Sequence, residues 1–405
     1  MTDAASEIPD GPAAAPGEVL VAFARLGLGS FGGPIAHLGY FRAEFVERRR
    51  WIDEPGYADL IALCQFLPGP TSSQVGFALG VLRGGGLLGG LAAWSGFTAP
   101  SALILLAFAY GARRLDGPVA LGALHGLKLV AVAVVAQALW GMARSLAPDR
   151  TRAGIAFAAL ALIAAAPGSL AQVAGIALGA GAGLVLCRDA GQVAARGALR
   201  FPVGGGAGLA ALGLFALLLI IPPLVAGRAQ AVALFDAFYR SGALVFGGGH
   251  VVLPLLRDAV VGPGWVTDQA FLAGYGLAQA TPGPLFAFAA YLGAVMGPAP
   301  GGLAGAGIAL VALFLPGLLL VYGMLPFWDG LRDRPLAQAA MRGANAAVVG
   351  VLGAALYDPV WTGAVASRGD FALALLGFLL LTVWRAPPWR VVALLAGAGA
   401  ASGLL

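Results

Sequence analysis

Long apolar stretches separated by short polar connections recur along almost the whole chain. Residues 86–112, 119–140 and 209–226 illustrate the pattern. Each stretch is long enough to cross a hydrocarbon core about 30 Å thick as a helix. Little sequence is left between the stretches for a sizeable soluble domain. The pattern therefore predicts an all-α polytopic membrane protein that has the lipid bilayer as a partner.

Part of this sequence occurs twice, at a spacing of roughly 215 residues. The segment FARLGLGSFGG at residues 23–33 returns as FYRSGALVFGG at residues 238–248, and the tripeptide PGP occurs at residues 68–70 and 282–284. Other uncommon residues match in the same order: Arg42 with Arg257, Trp51 with Trp265, Glu54 with Asp268, Gln65 with Gln279 and Pro100 with Pro316. Ordered matches of rare residues indicate two homologous halves.

The duplication sets the predicted domain boundaries and the predicted orientation of the halves. We interpret residues 1–17 as a disordered tail, 18–200 as the first repeat, 201–235 as a linking transmembrane helix and 236–405 as the second repeat. If each repeat crosses the membrane an even number of times, the linking helix turns the second repeat upside down, and we expect inverted repeats. Placing most of the connecting arginines in the cytoplasm agrees with this topology.

Each PGP tripeptide is expected to give a broken or re-entrant helix. The apolar pieces on either side of the first PGP are about 11 and 13 residues long, so each crosses only half of the membrane. Thr71 and Ser72 follow this break, Thr281 precedes the second one, and Gln65 and Gln279 flank the two. Hydroxyls and unpaired N–H groups at a helix start suit an anion. The alternative is an ordinary turn at the membrane surface.

The FGG segments and the arginines before them form a further candidate pair. Glycines at these positions permit close approach of another backbone or a positive φ angle, although close helix packing explains them as well. Arg25 and Arg240 are equivalent and could together offset the charge of a dianion. The alternative is that both side chains extend to the membrane interface.

Two polar positions differ between the halves. His250 follows the second FGG and could titrate near neutral pH, which would couple transport to protons, although a satisfied core histidine is the alternative. Lys128 lies inside an apolar helix where the second copy has Asn345, so the halves are expected to contribute polar contacts unequally.

Composition narrows the function further. Only 11% of the residues are charged, against about 25% in soluble proteins. The net charge of +5 fits membrane topology better than a nucleic-acid partner. Cys64 and Cys187 lack a metal-ligand spacing, so we predict no metal and no cofactor. With few histidines and no metal-spaced carboxylates, we do not expect an enzyme.

The paired motifs resemble those of the chromate ion transporter family in its long two-domain form. The resemblance rests on FGGP at residues 31–34, FGG at 246–248, QFLPGPTSSQ at 65–74 and AQATPGP at 278–284. It implies a secondary active transporter in the bacterial cytoplasmic (inner) membrane that exports chromate and confers chromate resistance. The driving force would be the membrane potential or a proton gradient. One departure is that Gly249 and His250 follow the second FGG where Pro34 and Ile35 follow the first.

The sequence thus yields a candidate site and several open alternatives. The candidate substrate-binding residues are Arg25, Gly32, Gly33, Gln65, Pro68, Gly69, Pro70, Thr71, Ser72, Arg240, Gly247, Gly248, Gln279, Thr281, Pro282, Gly283 and Pro284, and His250 is the candidate for proton coupling. Sulfate is also a tetrahedral dianion, so a sulfate or related oxyanion transporter is an alternative. An anion channel or a membrane enzyme is a less favoured one. The sequence allows a homodimer but does not decide the oligomeric state.

Overall fold

The computed structural model of the chain describes residues 14–112, 117–166, 168–188, 201–246, 249–297, 300–332 and 334–402. In these ranges the regular structure is helical. The main helices are α1 (Pro16–Gly29), α2 (Gly33–Phe41), α3 (Glu54–Phe66), α4 (Thr71–Arg83), α5 (Leu87–Ala112), α6 (Pro118–Leu146), α7 (Arg150–Ala165), α8 (Ser169–Leu186), α9 (Gly205–Val225), α10 (Gln230–Ala243), α11 (Val252–Val260), α12 (Asp268–Ala278), α13 (Phe288–Val295), α14 (Gly302–Met324), α15 (Trp328–Arg332), α16 (Pro335–Ala355), α17 (Arg368–Thr382) and α18 (Pro388–Ser402). The all-α prediction is confirmed. Residues 1–13 of the expected tail lie outside the described residues.

Five helices in the described part of the chain are long and apolar enough to cross a membrane. They are Leu87–Gly111, Pro118–Leu146, Gly205–Val225, Gly302–Leu331 and Pro335–Trp361. Large apolar side chains stay exposed on their outer faces, for example Leu209, Leu217 and Leu224 on α9. Such faces are stable against lipid but not against water, so the protein is a multi-pass membrane protein.

The two halves repeat the same helices in the same order. Helices α1, α3, α4, α5, α6, α7 and α8 correspond to α10, α12, α13, α14, α16, α17 and α18. An ion pair is repeated with them: Arg42 Nε lies 2.8 Å from Glu54 Oε1, and Arg257 Nε lies 2.7 Å from Asp268 Oδ1. The residues matched by the sequence repeat therefore also match in their contacts.

Equivalent helices of the two halves run in opposite directions. Trp94, near the start of α5, packs on Phe314 in the second half of α14, with ring centroids 5.6 Å apart. Tyr110, at the end of α5, lies beside Gly302 at the start of α14. These two contacts require α5 and α14 to be antiparallel, so the halves are inverted relative to each other.

The last helices of each half pack against the other half. Helix α6 is covered by α17 and α18, and its equivalent α16 is covered by α7 and α8. The helices approach closely because glycines face each other, as Gly343 of α16 faces Gly179 and Gly183 of α8. Small residues at such contacts let backbones touch, which supplies packing energy where lipid supplies no hydrophobic drive. The halves are thus interlocked rather than merely adjacent.

Each half also contains two hairpins that enter the membrane and return to the side from which they came. In the first half, the amide of Ala14 donates to the carbonyl of Arg83 at 2.9 Å, and Arg49 pairs with Glu18 at 3.5 Å. The starts and ends of α1–α2 and α3–α4 therefore lie on one side, called the basic side below. In the second half, Gly297 at the end of the α12–α13 hairpin donates to the Trp265 carbonyl at its start, at 3.0 Å. This confirms the expectation of broken, re-entrant helices at PGP.

The glycine contact between α8 and α16 gives a direct test of the interlocked packing. A Cβ on Gly343 would overlap the backbone of Gly179 and Gly183, whereas a Cβ on Gly181 of α8 would meet open space. Overpacking of a close contact costs about 1–3 kcal/mol. We therefore expect G343A to lower the apparent Tm of the detergent-solubilised protein and G181A to leave it unchanged or raise it. Equal Tm values for the two variants would contradict this packing.

Candidate functional site

The tips of the four hairpins meet in pairs at the centre of the molecule, and each pair joins the two halves. Gly69, in the first PGP, donates its amide to the carbonyl of Val245, which precedes the second FGG, at 2.7 Å. Gly283, in the second PGP, donates to the carbonyl of Ser30, which precedes the first FGG, at 2.8 Å. We call these contacts the PGP1 crossing and the PGP2 crossing. Val245 and Ser30 are equivalent in the repeat, so the two crossings are related by the same pseudo-symmetry.

Glycine is required at both crossings. Gly69 has a φ of +129° and Gly283 a φ of +92°, and residues that carry a Cβ rarely adopt such angles. A Cβ on Gly69 would also lie 3.0 Å from the Cα of Gly317 on α14, and one on Gly283 would lie 2.8 Å from Ser101 Oγ on α5. The middle residue of each PGP thus lets the tip of one half press against the long helix of the other.

Backbone carbonyls freed by the first break are bonded by a side chain. Gln74 is fully buried, and its Nε2 donates to the carbonyl of Pro68 at 2.9 Å and to that of Gly317 at 3.1 Å. Irregular backbone at membrane depth is stable only if such groups find partners. One amide therefore stabilises both the break and its contact with α14.

A cavity of about 700 Å³ lies directly beside these tips. Its inner part is formed by Gly32, Gly33, Pro34, Gln65, Thr71, Gln137, Gly249, His250 and Asn345, and its outer part includes Arg144, Ser145, Thr382 and Arg385. Arg144 lies at the end of α6, and Arg385 follows the end of α17. Both ends are on the basic side. Helix α5 starts on that side and crosses to the other, α6 crosses back, and α17 runs parallel to α6. The cavity therefore opens to the basic side and ends at the hairpin tips.

The cavity is electropositive at its mouth and neutral but polar inside. Arg144 and Arg385 are both exposed there, and Arg144 lies over the ring of Trp140 with its Cζ 5.0 Å from the centroid. Amides and a hydroxyl follow further in, where Asn345 Oδ1 is buried without a hydrogen-bond partner. The described lining contains no acidic side chain. Such a lining attracts an anion and offers it hydrogen-bond donors.

The structure places only some of the sequence-predicted residues in this cavity. Gly32, Gly33, Gln65, Thr71 and His250 line it. His250 also forms a 2.6 Å hydrogen bond between its Nδ1 and the Tyr275 hydroxyl. The prolines and glycines of both PGP tripeptides, with Thr281, form the tips instead.

Other predicted residues lie away from the cavity lining. Arg25 is exposed on α1, and Arg240 is exposed and pairs with Asp236 of its own helix at 2.8 Å. Ser72 is buried beside the cavity, bonded to His37, and Gln279 is half-buried with an unpartnered Nε2. Gly247 and Gly248 lie outside the described residues.

Sequence reasoning missed several polar residues of the cavity wall. Gln137 interrupts the apolar face of α6, and that polarity was the available signal. Arg144 and Arg385 read only as connecting charges, because nothing local shows that α6 and α17 end side by side. The unequal roles expected of Lys128 and Asn345 are seen: Asn345 lines the cavity, whereas Lys128 Nζ lies 3.5 Å from the Gly363 carbonyl. Among the described residues, no three His, Cys, Asp or Glu side chains are placed to share a metal ion.

Comparison with known proteins agrees with this architecture. The family described as "Chromate transporter" matches residues 17–184 and again residues 232–401. A chromate transport protein of Pseudomonas aeruginosa is 32% identical over 365 residues, covering 88% of this chain and 84% of that protein. A chromate transport protein of Cupriavidus metallidurans is 27% identical over 87% of this chain and 84% of its own length. A probable chromate transport protein of Synechococcus elongatus is 27% identical over 82% of both chains.

No solved structure matches the chain. The two matches to one family model coincide with the two inverted halves and account for the reciprocal crossings between them. The chain therefore belongs to the chromate transporter family, in the form that carries two copies of the family's domain.

Proposed function

We propose that this protein is a secondary active transporter that carries chromate from the cytoplasm across the cytoplasmic membrane of a bacterium and thereby confers chromate resistance. The observation that carries the proposal is the cavity with Arg144 and Arg385 at its mouth, amide and hydroxyl groups inside, and no acidic residue in its described lining. The names of the relatives in Pseudomonas aeruginosa and Cupriavidus metallidurans support chromate as the cargo.

The side to which the cavity opens supports export as the direction of transport. Most arginines of the described connections lie on the basic side, among them those within residues 42–50 and 144–152, together with Arg83, Arg385 and Arg390. Basic connections favour the cytoplasm. A cavity open to this side takes its anion from the cytoplasm. The state that is open to the opposite side then releases the anion outside the cell.

The geometry gives each part of the site a role in such a cycle. The two arginines at the mouth raise the local concentration of a dianion. Gln65, Thr71 and Asn345 then replace part of its water shell with hydrogen bonds near the hairpin tips. Release to the opposite side requires the tips to separate, because the PGP1 and PGP2 crossings close the inner end of the cavity. A rocking of the inverted halves that separates the tips at these crossings alternates the access.

Sulfate is the competing cargo, because the chemistry of the lining suits it as well as chromate. Sulfate and chromate are both tetrahedral dianions, and neutral donors with two guanidiniums at the mouth bind either of them. An assay of cargo therefore has to include both anions.

Uptake by inside-out vesicles tests cargo and direction together. We expect labelled chromate to accumulate inside vesicles that contain the protein when a proton gradient or membrane potential is imposed, and a parallel sample with excess sulfate measures how strongly the two anions compete. Vesicles without the protein are the control. Robust sulfate accumulation without chromate movement would reassign the cargo, and equilibration without accumulation would indicate a channel.

Charge-neutralising variants test the position of the site. We expect R144Q with R385Q to raise KM for chromate by roughly threefold to tenfold, with a larger effect at low ionic strength because screening weakens both charges. R25Q is the matched control, since Arg25 is exposed on α1 outside the cavity.

The same KM measurement tests the sequence-based alternative, in which Arg25 and Arg240 bind the anion. If R25Q or R240Q raises KM more than the change at the mouth does, the anion binds near α1 and α10 and not in the cavity.

A further inference from the structure

The two pseudo-symmetric crossings differ in chemistry. Residues around the PGP2 crossing are polar and almost completely buried: Ser30, His37, Ser72, Ser73, Thr98 and Ser101 are each 1–3% exposed. Their repeat equivalents at the PGP1 crossing are Val245, Val252, Phe286, Ala287, Phe314 and Gly317. Burying hydroxyls and an imidazole costs free energy unless they are hydrogen-bonded, and the second half shows that the fold forms without these side chains. The polar set at one crossing therefore points to a function of that crossing.

His37 is the titratable member of this set, and it touches three parts of the molecule. Its Nδ1 lies 3.2 Å from Ser72 Oγ on α4. Its ring packs edge-on against Phe97 of α5, with centroids 5.1 Å apart. The ring also faces the backbone carbonyl of Ser30, which accepts the inter-half hydrogen bond from Gly283. The other ring nitrogen, Nε2, is buried without a hydrogen-bond partner.

Two hydroxyl residues, Ser72 and Thr71, lie between His37 and the cavity. Thr71 lines the cavity, and the next residue, Ser72, is the hydroxyl that contacts His37. A proton on Nδ1 can therefore leave through Ser72 toward water in the cavity on the basic side. On the other face of the ring, separating Ser30 from Gly283 would open Nε2 toward the opposite side. His37 thus lies between the two accesses that a transport cycle must use in turn.

We propose that His37 carries the proton that couples transport to a proton gradient: it takes up one proton from the opposite side when the PGP2 crossing opens and releases one through Ser72 and Thr71 into the cavity. This inference rests on the proposed function. A buried imidazolium without water or a charged partner is unfavourable, so His37 is neutral in the closed arrangement and binds the proton only when water reaches it. After each cycle the ring is neutral again, a turn of the ring about χ2 restores the starting tautomer, and one proton has moved toward the basic side while one anion has moved away from it.

Charged groups on the surrounding elements do not take over this role. Glu18 lies at the outer end of α1 and pairs with Arg49, and Arg25, further along α1, has an exposed side chain. Tyr40 on α2 is exposed as well. Arg83 and Tyr110 lie at the ends of α4 and α5 far from the crossing. Ser72 and the Ser30 carbonyl are the polar groups that the described structure places against the His37 ring.

His250, the histidine suggested by the sequence, differs in its surroundings. It lines the cavity, and its Nδ1 is bonded to the Tyr275 hydroxyl at 2.6 Å. It therefore faces the basic side already and touches neither crossing hydrogen bond. A third histidine, His125, lies in the first part of α6, away from the cavity mouth at Arg144, and its Nε2 is hydrogen-bonded to Asp370 Oδ1 at 2.7 Å. Both serve as comparison positions.

The test uses proteoliposomes that contain a trapped pH-sensitive dye. A chromate gradient is imposed and the internal pH is followed, while chromate-for-chromate exchange without a gradient is measured on the same preparation. For H37Q we expect exchange to remain close to wild type and chromate-driven proton movement to fall at least roughly tenfold, because glutamine keeps hydrogen bonding but cannot titrate. H125Q should keep both signals, and H250Q should keep the wild-type number of protons moved per chromate whatever its exchange rate.

A second variant covers the case in which H37Q does not insert. S72A retains the imidazole and removes the hydroxyl next to Nδ1, so we expect proton movement to slow several-fold while exchange persists. Proton movement at the wild-type rate in H37Q, or in S72A where H37Q is not recovered, would overturn the proposal, as would loss of proton movement in H250Q but not in H37Q. Wild-type exchange without any proton movement would overturn this inference and leave chromate transport intact. Absence of chromate exchange in the wild type would instead overturn the proposed function.

Discussion

The structure depends on two reciprocal hydrogen bonds between the halves in the interior of the protein, from Gly69 to Val245 and from Gly283 to Ser30. Four hairpins end at this depth, and lipid offers no partner for the backbone groups that each break exposes. Each tip therefore has to find its partners in protein, and it finds them in the other half of the chain. This requirement explains why the halves cannot be independent domains.

The exchange of terminal helices follows the same logic. Helix α6 is buried by α17 and α18 of the other half, and α16 is buried by α7 and α8, so both halves contribute to every wall around the tips. The cavity lies where these walls do not close, between α6, α16, the end of α17 and the hairpin tips. Its basic mouth results from two helix ends, those of α6 and α17, that come from different halves. The site is thus a product of the interlocking and not of one repeat.

Pseudo-symmetry makes the differences between the halves informative. Both crossings use the same backbone contact, which shows what the fold needs. A side chain that occurs at one crossing only either supports that crossing locally, as Gln74 does at the PGP1 crossing, or is available for function. By this comparison His37 and the hydroxyls around it stand out, because Val252 and its apolar neighbours occupy the equivalent places. Arg42 with Glu54 and Arg257 with Asp268 are the opposite case: the same ion pair in both halves indicates a structural role.

The sequence by itself determined the helical membrane class and the duplication, and it indicated the inversion and the breaks at PGP, because these depend on local hydrophobicity, on proline chemistry and on matches along the chain. It also indicated part of the candidate site, including Gln65, Thr71 and the glycines of the first FGG, since polar groups next to a break in an apolar segment are visible locally. Only the tertiary structure decided that each PGP bonds to the residue before the FGG of the other half, that Arg144 and Arg385 share one cavity mouth while Arg25 and Arg240 lie outside it, and that His37 touches a crossing. Those relations join residues far apart in the chain, and they arise from helix packing between inverted halves, which leaves no local pattern in the sequence.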